Sequence, residues 1–239
     1  MAFPVLCAAM TGSMRIMDTV SNAEILAKIA GGLDDWRKLA QPLAARYRAT
    51  DAVVGAAFVA AVARAAAAAR YDVPEIRLGH GVIDVTLFSV DEAGARRVTA
   101  KDLELAGVIT GLAHEFGLTA VPGEVAQLEL ALDTADDSAA GPFWAALLTG
   151  DATHAVFDSV FDPTNRVPNV WFQQTDKHPT PRQRWHMDLW LAPEVADERI
   201  AAAVAAGGTL VDDSQAPSFT VLADPEGNNV CICTALERD

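Results

Sequence analysis

Apolar and polar positions alternate along this chain in two rhythms, a helical one and a strand one. In "DAVVGAAFVAAVARAAAAAR", Val54, Phe58 and Val62 fall on one stripe and predict the longest helix, opened by Asp51. The run Ala65–Ala69 favours helix and leaves a narrow face that a sheet or a partner helix can approach closely. Upstream, "SNAEILAKIAGG" predicts a short helix with Ser21 as N-cap, Glu24 at the capping-box position and Gly31–Gly32 at its end. "DDWRKLA" and "ARYRAT" predict strands, as do the stretches near 75–78 and 82–88. A third helix starts at Thr99, with Leu103, Ala106, Ile109, Ala113 and Phe116 as its buried stripe, and stops at Gly117.

The order helix, two strands, helix, two strands, helix predicts an α+β domain of antiparallel strands with helices on one face. "LTAVPGE" interrupts the periodic segments and marks a boundary. Beyond it the order of elements repeats. "EVAQLELALDT" predicts a strand, "SAAGPFWAALLTG" a helix, and "HAVFDSV" and "NVWFQQ" one strand each. "RQRWHMDLWLA" then restarts the series, followed by the helix "PEVADERIAAAVAAGG" and the strands "TLVDD", "FTVLA" and "NNVCICTAL". Each unit is roughly βαβββ. The division is an N-terminal extension over 1–20, a first domain over 21–120 and a paired βαβββ domain over 124–239.

With 51% hydrophobic and 21% charged residues among 239, the chain can form a real core. Its net charge of −14 repels phosphate backbones and anionic lipid, which sets nucleic acid and membrane surfaces aside as partners. No later stretch is long and apolar enough for a transmembrane helix. "MAFPVLCAAMTGSM" lacks the positive start of a signal peptide and reads as a loose extension, with initiation at Met14 or Met17. Cys7, Cys231 and Cys233 give no disulfide framework, and Cys231 and Cys233 are expected on opposite faces of one strand. That usage fits a reducing, cytoplasmic compartment.

Over about residues 21–120 the chain resembles the pterin-4a-carbinolamine dehydratase family. Trp36 and Tyr47, the Phe58/Val62 helix, "VPEI", "VIDVTLFSVDEAG" and "VTAKDLELA" carry the resemblance. It implies three helices on a four-stranded sheet and dehydration of 4a-hydroxytetrahydrobiopterin, a lyase reaction. Imidazoles suit the two proton transfers which that reaction needs. The family's His-His-Pro becomes Asp72, Val73 and Pro74 here, and Val90 stands between Ser89 and Asp91 where a third histidine belongs. Thr99 and Asp102 match the family's helix start. Valine cannot transfer a proton, and an ionised carboxylate is a poor general acid at neutral pH. His80, between two glycines, is the nearby imidazole; it is either a surrogate or an ordinary turn residue. The frame is kept while the activity is expected to be weak or lost, with Pro74 and Ser89 left to bind a pterin or another flat heterocycle.

Over about 124–236 the chain resembles the glyoxalase-like branch of the vicinal oxygen chelate superfamily. "LELALDT", "PFWAALL", "RQRWHMDLWL", "AAGGTLV" and "LADPEGNNVCIC" carry that resemblance. It implies two βαβββ units curled into one cup holding a divalent metal, with Glu129, Gln173, His186 and Cys231 at the ligand positions. Such a site would support a lyase, isomerase or dioxygenase. Structural roles fit the same residues: Glu129 pairing with Arg182 or Arg184, His186 satisfied in the core, Cys231 as a small hydrophobe. Trp171 and Trp185 either line the cup or pack between sheets, and Arg182 and Arg184 either anchor an anionic small molecule or lie on the surface. A non-catalytic binding module, homo-oligomeric through the alanine-rich face of the long helix, is the remaining alternative.

Overall fold

The computed structural model describes residues 20–72, 74–176, 185–205, 207–223 and 229–238. The expectations for the N-terminal extension, Cys7, Val73, Arg182 and Arg184 fall outside them. The chain is an α+β protein of two parts. The first contains α1 (Asn22–Ala30), β1 (Trp36–Lys38), β2 (Leu43–Arg48), α2 (Ala52–Ala68), β3 (Glu75–Gly79), β4 (Val82–Leu87), β5 (Ser89–Val90), β6 (Arg96–Arg97), α3 (Ala100–Glu115) and β7 (Thr119–Ala120).

Local signals place the helices. Ser21 and Glu24 form the capping box of α1, Asp51 accepts from the Val53 and Val54 amides to start α2, and Thr99 and Asp102 box the start of α3. The strands run antiparallel in the order β1-β2-β4-β3. The expected four-stranded sheet gains a short fifth member, because β7 pairs with Tyr47 and Arg48 at the far edge of β2. Leu43, Ala45 and Tyr47 of β2 and Ile83, Val85 and Leu87 of β4 point inward, two residues apart as the pleat requires, and meet Phe58, Val62 and Ile109 of the helices. Burial of Phe58 alone stabilises the fold by about 1.5–3 kcal/mol. Gly55 lets α2 cross β3 closely, since a Cβ there would stand 2.8 Å from Leu78 Cδ1.

The second part contains β8 (Ala126–Thr134), α4 (Asp137–Thr149), β9 (Ala155–Val156), β10 (Ser159–Val160), β11 (Val170–Gln174), β12 (Trp185–Leu191), α5 (Pro193–Ala205), β13 (Thr209–Asp212), β14 (Phe219–Ala223) and β15 (Asn229–Cys233). All eight strands join one sheet in the order β13-β14-β15-β12-β8-β11-β10-β9. The two βαβββ units thus meet at the antiparallel β8–β12 pair, and each first strand runs parallel to the last strand of its own unit. "HAVFDSV", expected as one strand, is a hairpin of β9 and β10, turned at Phe157 with φ of 53°. Even-numbered positions of β8, Leu130 and Leu132, pack under α4, and Leu189 and Leu191 of β12 pack under α5. The other face of these central strands is left for a cavity.

Cys231 and Cys233 correct a second expectation. They border the same cavity rather than opposite faces, because residues two apart on a strand share a side. Both are free thiols.

The two parts are joined. Leu39 and Ala44 of the first pack against Val125, Trp190, Ala192 and Cys233 of the second. A smaller apolar contact unites Ala95 with Val156 and Phe161. Gln41, in the β1–β2 turn, donates to Glu129 Oε1 at 2.8 Å and accepts from Gln127 at 2.9 Å and Asn169 at 2.9 Å. Arg37 pairs with Glu194 at 2.5 Å, and Arg48 with Glu124. Among the described residues no helix is long and apolar enough to cross a membrane.

Candidate functional site

Two places compete for the role. The first is the end of α2 and the strand after it, where the dehydratase resemblance locates its chemistry. Tyr71 donates its hydroxyl to Asp102 and lies 3.1 Å from the Phe88 carbonyl. Asp102, fully buried, also accepts from Ser89 Oγ at 3.0 Å and from Thr99 Oγ1 and the Thr99 amide at 2.7 and 2.6 Å. Its oxygens hold the start of α3 against the strand. Burial, and then the Asp102 carboxylate, push the Tyr71 phenol far above its ordinary value, so it is a fixed donor.

Around this lock the sequence-predicted positions carry little reactive chemistry. Asp72 is exposed, Pro74 is buried beside it, and Val90 is 51% exposed. Asp91 caps its own turn by accepting from the Ala93 and Ala95 amides and lies 3.6 Å from Arg97. His80 occupies the tip of the β3–β4 hairpin with φ of 52°, exposed and at the opposite end of the strands from Val90. The geometry assigns it to the turn.

The second place is the concave face of the eight-stranded sheet, a cavity of about 550 Å³. Such a volume suits a small ligand. Asp188 stands in register with Cys231 of β15 on one side and Glu129 of β8 on the other. His186 precedes Asp188 by two residues and therefore shares its face. The ligand atoms of His186, Asp188 and Cys231 all lie within 4.8 Å of one another. His186 Nε2 is 3.3 Å from Asp188 Oδ1, and its Nδ1 is 3.9 Å from Asp133 Oδ1. Trp171 donates its indole N–H to Asp188 Oδ2 at 2.7 Å and meets the His186 ring edge to face at 5.8 Å. Asp188 Oδ1 is buried with no hydrogen-bond partner among the described residues. Burial, reinforced by Asp188, pushes the Cys231 thiol up to about 12.

The proposed metal positions separate in space. His186 and Cys231 come together, joined by Asp188, and Gln173 lines the same cavity. Glu129 faces the same side but is 5% exposed and held by Gln41 and, at 3.4 Å, Asn169. Burial raises its carboxyl above the ordinary value against the lowering effect of those two amides. Gln41 of the first part thus covers Glu129. Trp171 lines the cavity wall, while Trp185 sits at its margin and packs edge to face on Trp144 of α4 at 4.9 Å. Sequence reasoning missed Asp188, Asp133, Asn229 and Arg238, which also line the cavity. For Asp188 a signal existed: the His-x-Asp spacing in "WHMDLWL" puts both side chains on one side of a strand.

Comparisons with known proteins divide the chain along the same line. Residues 18–112 match the family model of pterin 4 alpha carbinolamine dehydratase, and residues 129–233 match that of the glyoxalase-like domain. A pterin-dehydratase-like segment is fused to a glyoxalase-like one. Among solved structures, a transcriptional coactivator/pterin dehydratase from Brucella melitensis is similar at 22% identity, over 40% of this chain and 98% of that one, with a TM-score of 0.35. No curated protein matches the chain.

Proposed function

We propose that this protein binds a small molecule in the glyoxalase-like cup with the help of a divalent metal. In this reading the pterin-dehydratase-like part is a scaffold packed against the glyoxalase-like part and no longer carries out 4a-hydroxytetrahydrobiopterin dehydration. The observation that carries the reading is the contrast in side chains. His186, Asp188 and Cys231 converge on the cavity, where the buried Asp188 carboxylate lies between the Trp171 indole N–H and the His186 imidazole. Asp72 and Val90 occupy the positions where the dehydratase resemblance requires imidazoles.

The residues fit a metal. A buried carboxylate such as that of Asp188 is costly unless cations or donors meet it. The imidazole, carboxylate and thiol set matches zinc or a similar transition ion. His186, Asp188 and Cys231 would hold it, and when bound it would supply a Lewis acid for a carbonyl or hydroxyl of the ligand. Trp171 orients Asp188 through its N–H and offers its ring to a flat ligand such as a pterin. The free thiols of half-buried Cys231 and buried Cys233 suit a reducing compartment, in keeping with a cytoplasmic location.

Cobalt(II) titration of the full chain tests the reading. One equivalent should bind and generate a near-ultraviolet thiolate-to-cobalt absorption that Cys231→Ser abolishes. Absence of both saturable binding and that absorption would refute the metal site. Titration of a tetrahydropterin analogue against Trp171 fluorescence then asks whether a flat heterocycle enters the cup.

A further inference from the structure

A second cavity, of about 780 Å³, lies in the cleft between the two parts and shares Arg238 with the lining of the cup. Lys38, Arg96, Arg97 and Arg238 line it, against Glu24 as its one carboxylate. In a chain of net charge −14 such a gathering of cations is anomalous. We propose that this cleft is a binding site for a small organic oxyanion, a carboxylate or a phosphate ester, whose apolar body rests on Ile25, Leu39, Val98 and Trp190.

The hydrogen bonding supports it. Lys38 Nζ donates to the carbonyls of Leu39 at 2.6 Å and Ala40 at 2.7 Å. Arg96, only 7% exposed, donates to the Asp162 carbonyl and to the amide oxygens of Asn165 at 2.7 Å and Asn169 at 3.4 Å. Arg238 donates to the carbonyls of Thr234 at 3.0 Å and Ser218 at 3.1 Å. Among the described residues none of these three cations has a carboxylate within ion-pair distance. Neutral acceptors fix each head group in place, carboxylates act on Lys38 and Arg96 only from beyond ion-pair distance, and donors remain to offer, since an ammonium has three and a guanidinium five. Ring faces steady the guanidinium groups: Arg96 lies 4.5 Å from the Phe88 centroid and Arg238 4.5 Å from that of Trp190. Two held guanidinium planes and an ammonium suit a planar or tetrahedral oxyanion. Glu24 does not fill that role, because Ser21 holds it at the start of α1.

Burial pulls the Lys38 ammonium down to about 8, with Glu129 raising it and Arg238 lowering it further. Glu24 of α1, Arg96 and Arg97 of β6, Arg238 of the C-terminal segment and Glu129 of β8 are the charged groups around it. A bound anion holds the proton on Lys38, so affinity should decline as pH rises above about 8.

Calorimetric titration of the full chain with malonate and with inorganic phosphate, at ionic strength held constant with chloride, tests the site. Saturable one-to-one binding is expected, weakened about tenfold or more by Lys38→Met and about threefold by the exposed Arg97→Gln. His186→Ala, in the cup, should leave it unchanged. Malonate does not titrate above neutrality, so its affinity should fall through the Lys38 window and lose that slope in Lys38→Met. Tighter malonate assigns a carboxylic acid, and tighter phosphate a phosphate ester. No saturable binding of either anion would overturn the proposal. So would undiminished binding in both cleft variants, or loss in His186→Ala.

Discussion

The two halves of this protein keep opposite things. The pterin-dehydratase-like half keeps a frame, with Trp36, Tyr47 and Phe58 fully enclosed and Asp102 bonded to Tyr71, Ser89 and Thr99. What it presents at the equivalent site is an exposed aspartate and an exposed valine. The glyoxalase-like half encloses a cavity and aims an imidazole, a carboxylate and a thiol into it. A tightly satisfied polar network stabilises a fold, while an imidazole, a carboxylate and a thiol gathered on an open cavity suit a ligand. The contrast separates what a scaffold needs from what a reaction needs, within one chain.

The sharpest way to break the contrast is to restore the missing chemistry. A variant with Asp72→His, Val73→His and Val90→His should dehydrate a 4a-hydroxytetrahydropterin about a hundredfold faster than the natural chain, read by absorbance. Robust turnover by the natural chain would instead erase the difference between the halves. In the cup, Asp188→Ala should weaken cobalt(II) binding by about a hundredfold while leaving the far-ultraviolet circular dichroism intact.

The junction between the halves gives smaller effects. Gln41→Ala removes a donor from Glu129 and the acceptor shared by the Gln127 and Asn169 amides, so it should cost about 1–3 kcal/mol in urea denaturation. Glu129→Gln should act in the other direction. Burial raises the Glu129 carboxyl above its ordinary 4.5, so the folded chain holds that proton more tightly than the unfolded one. The natural protein therefore loses stability as pH climbs from about 4.5 through the folded value. The variant should lack that slope and be more stable than the natural protein at neutral pH. His80→Ala, at an exposed turn, should change stability by less than about 0.5 kcal/mol and leave ligand binding untouched.

Much of the fold was legible because local physics writes it. The caps at Ser21, Asp51 and Thr99, the Phe58/Val62 stripe and the repeated βαβββ order all act over a few residues, and the structure realises each of them. "HAVFDSV" escaped because its β-branched and aromatic residues read as one strand, while the left-handed turn at Phe157 has no glycine, asparagine or proline to mark it. Cys231 and Cys233 share a face because side chains repeat every two residues along a strand.

The sequence by itself determined the two-part α+β architecture, the absence of imidazoles at three dehydratase positions and the presence of His186 and Cys231 in the second half. Only the tertiary structure decided which groups meet. Strand register set Asp188 between Glu129 and Cys231, and domain packing carried Gln41 onto Glu129 and away from solvent. It also drew Lys38, Arg96 and Arg238, more than a hundred residues apart at the extremes, around one cleft. Such meetings depend on long-range contacts between strands and domains, which the residues adjacent in the chain do not encode.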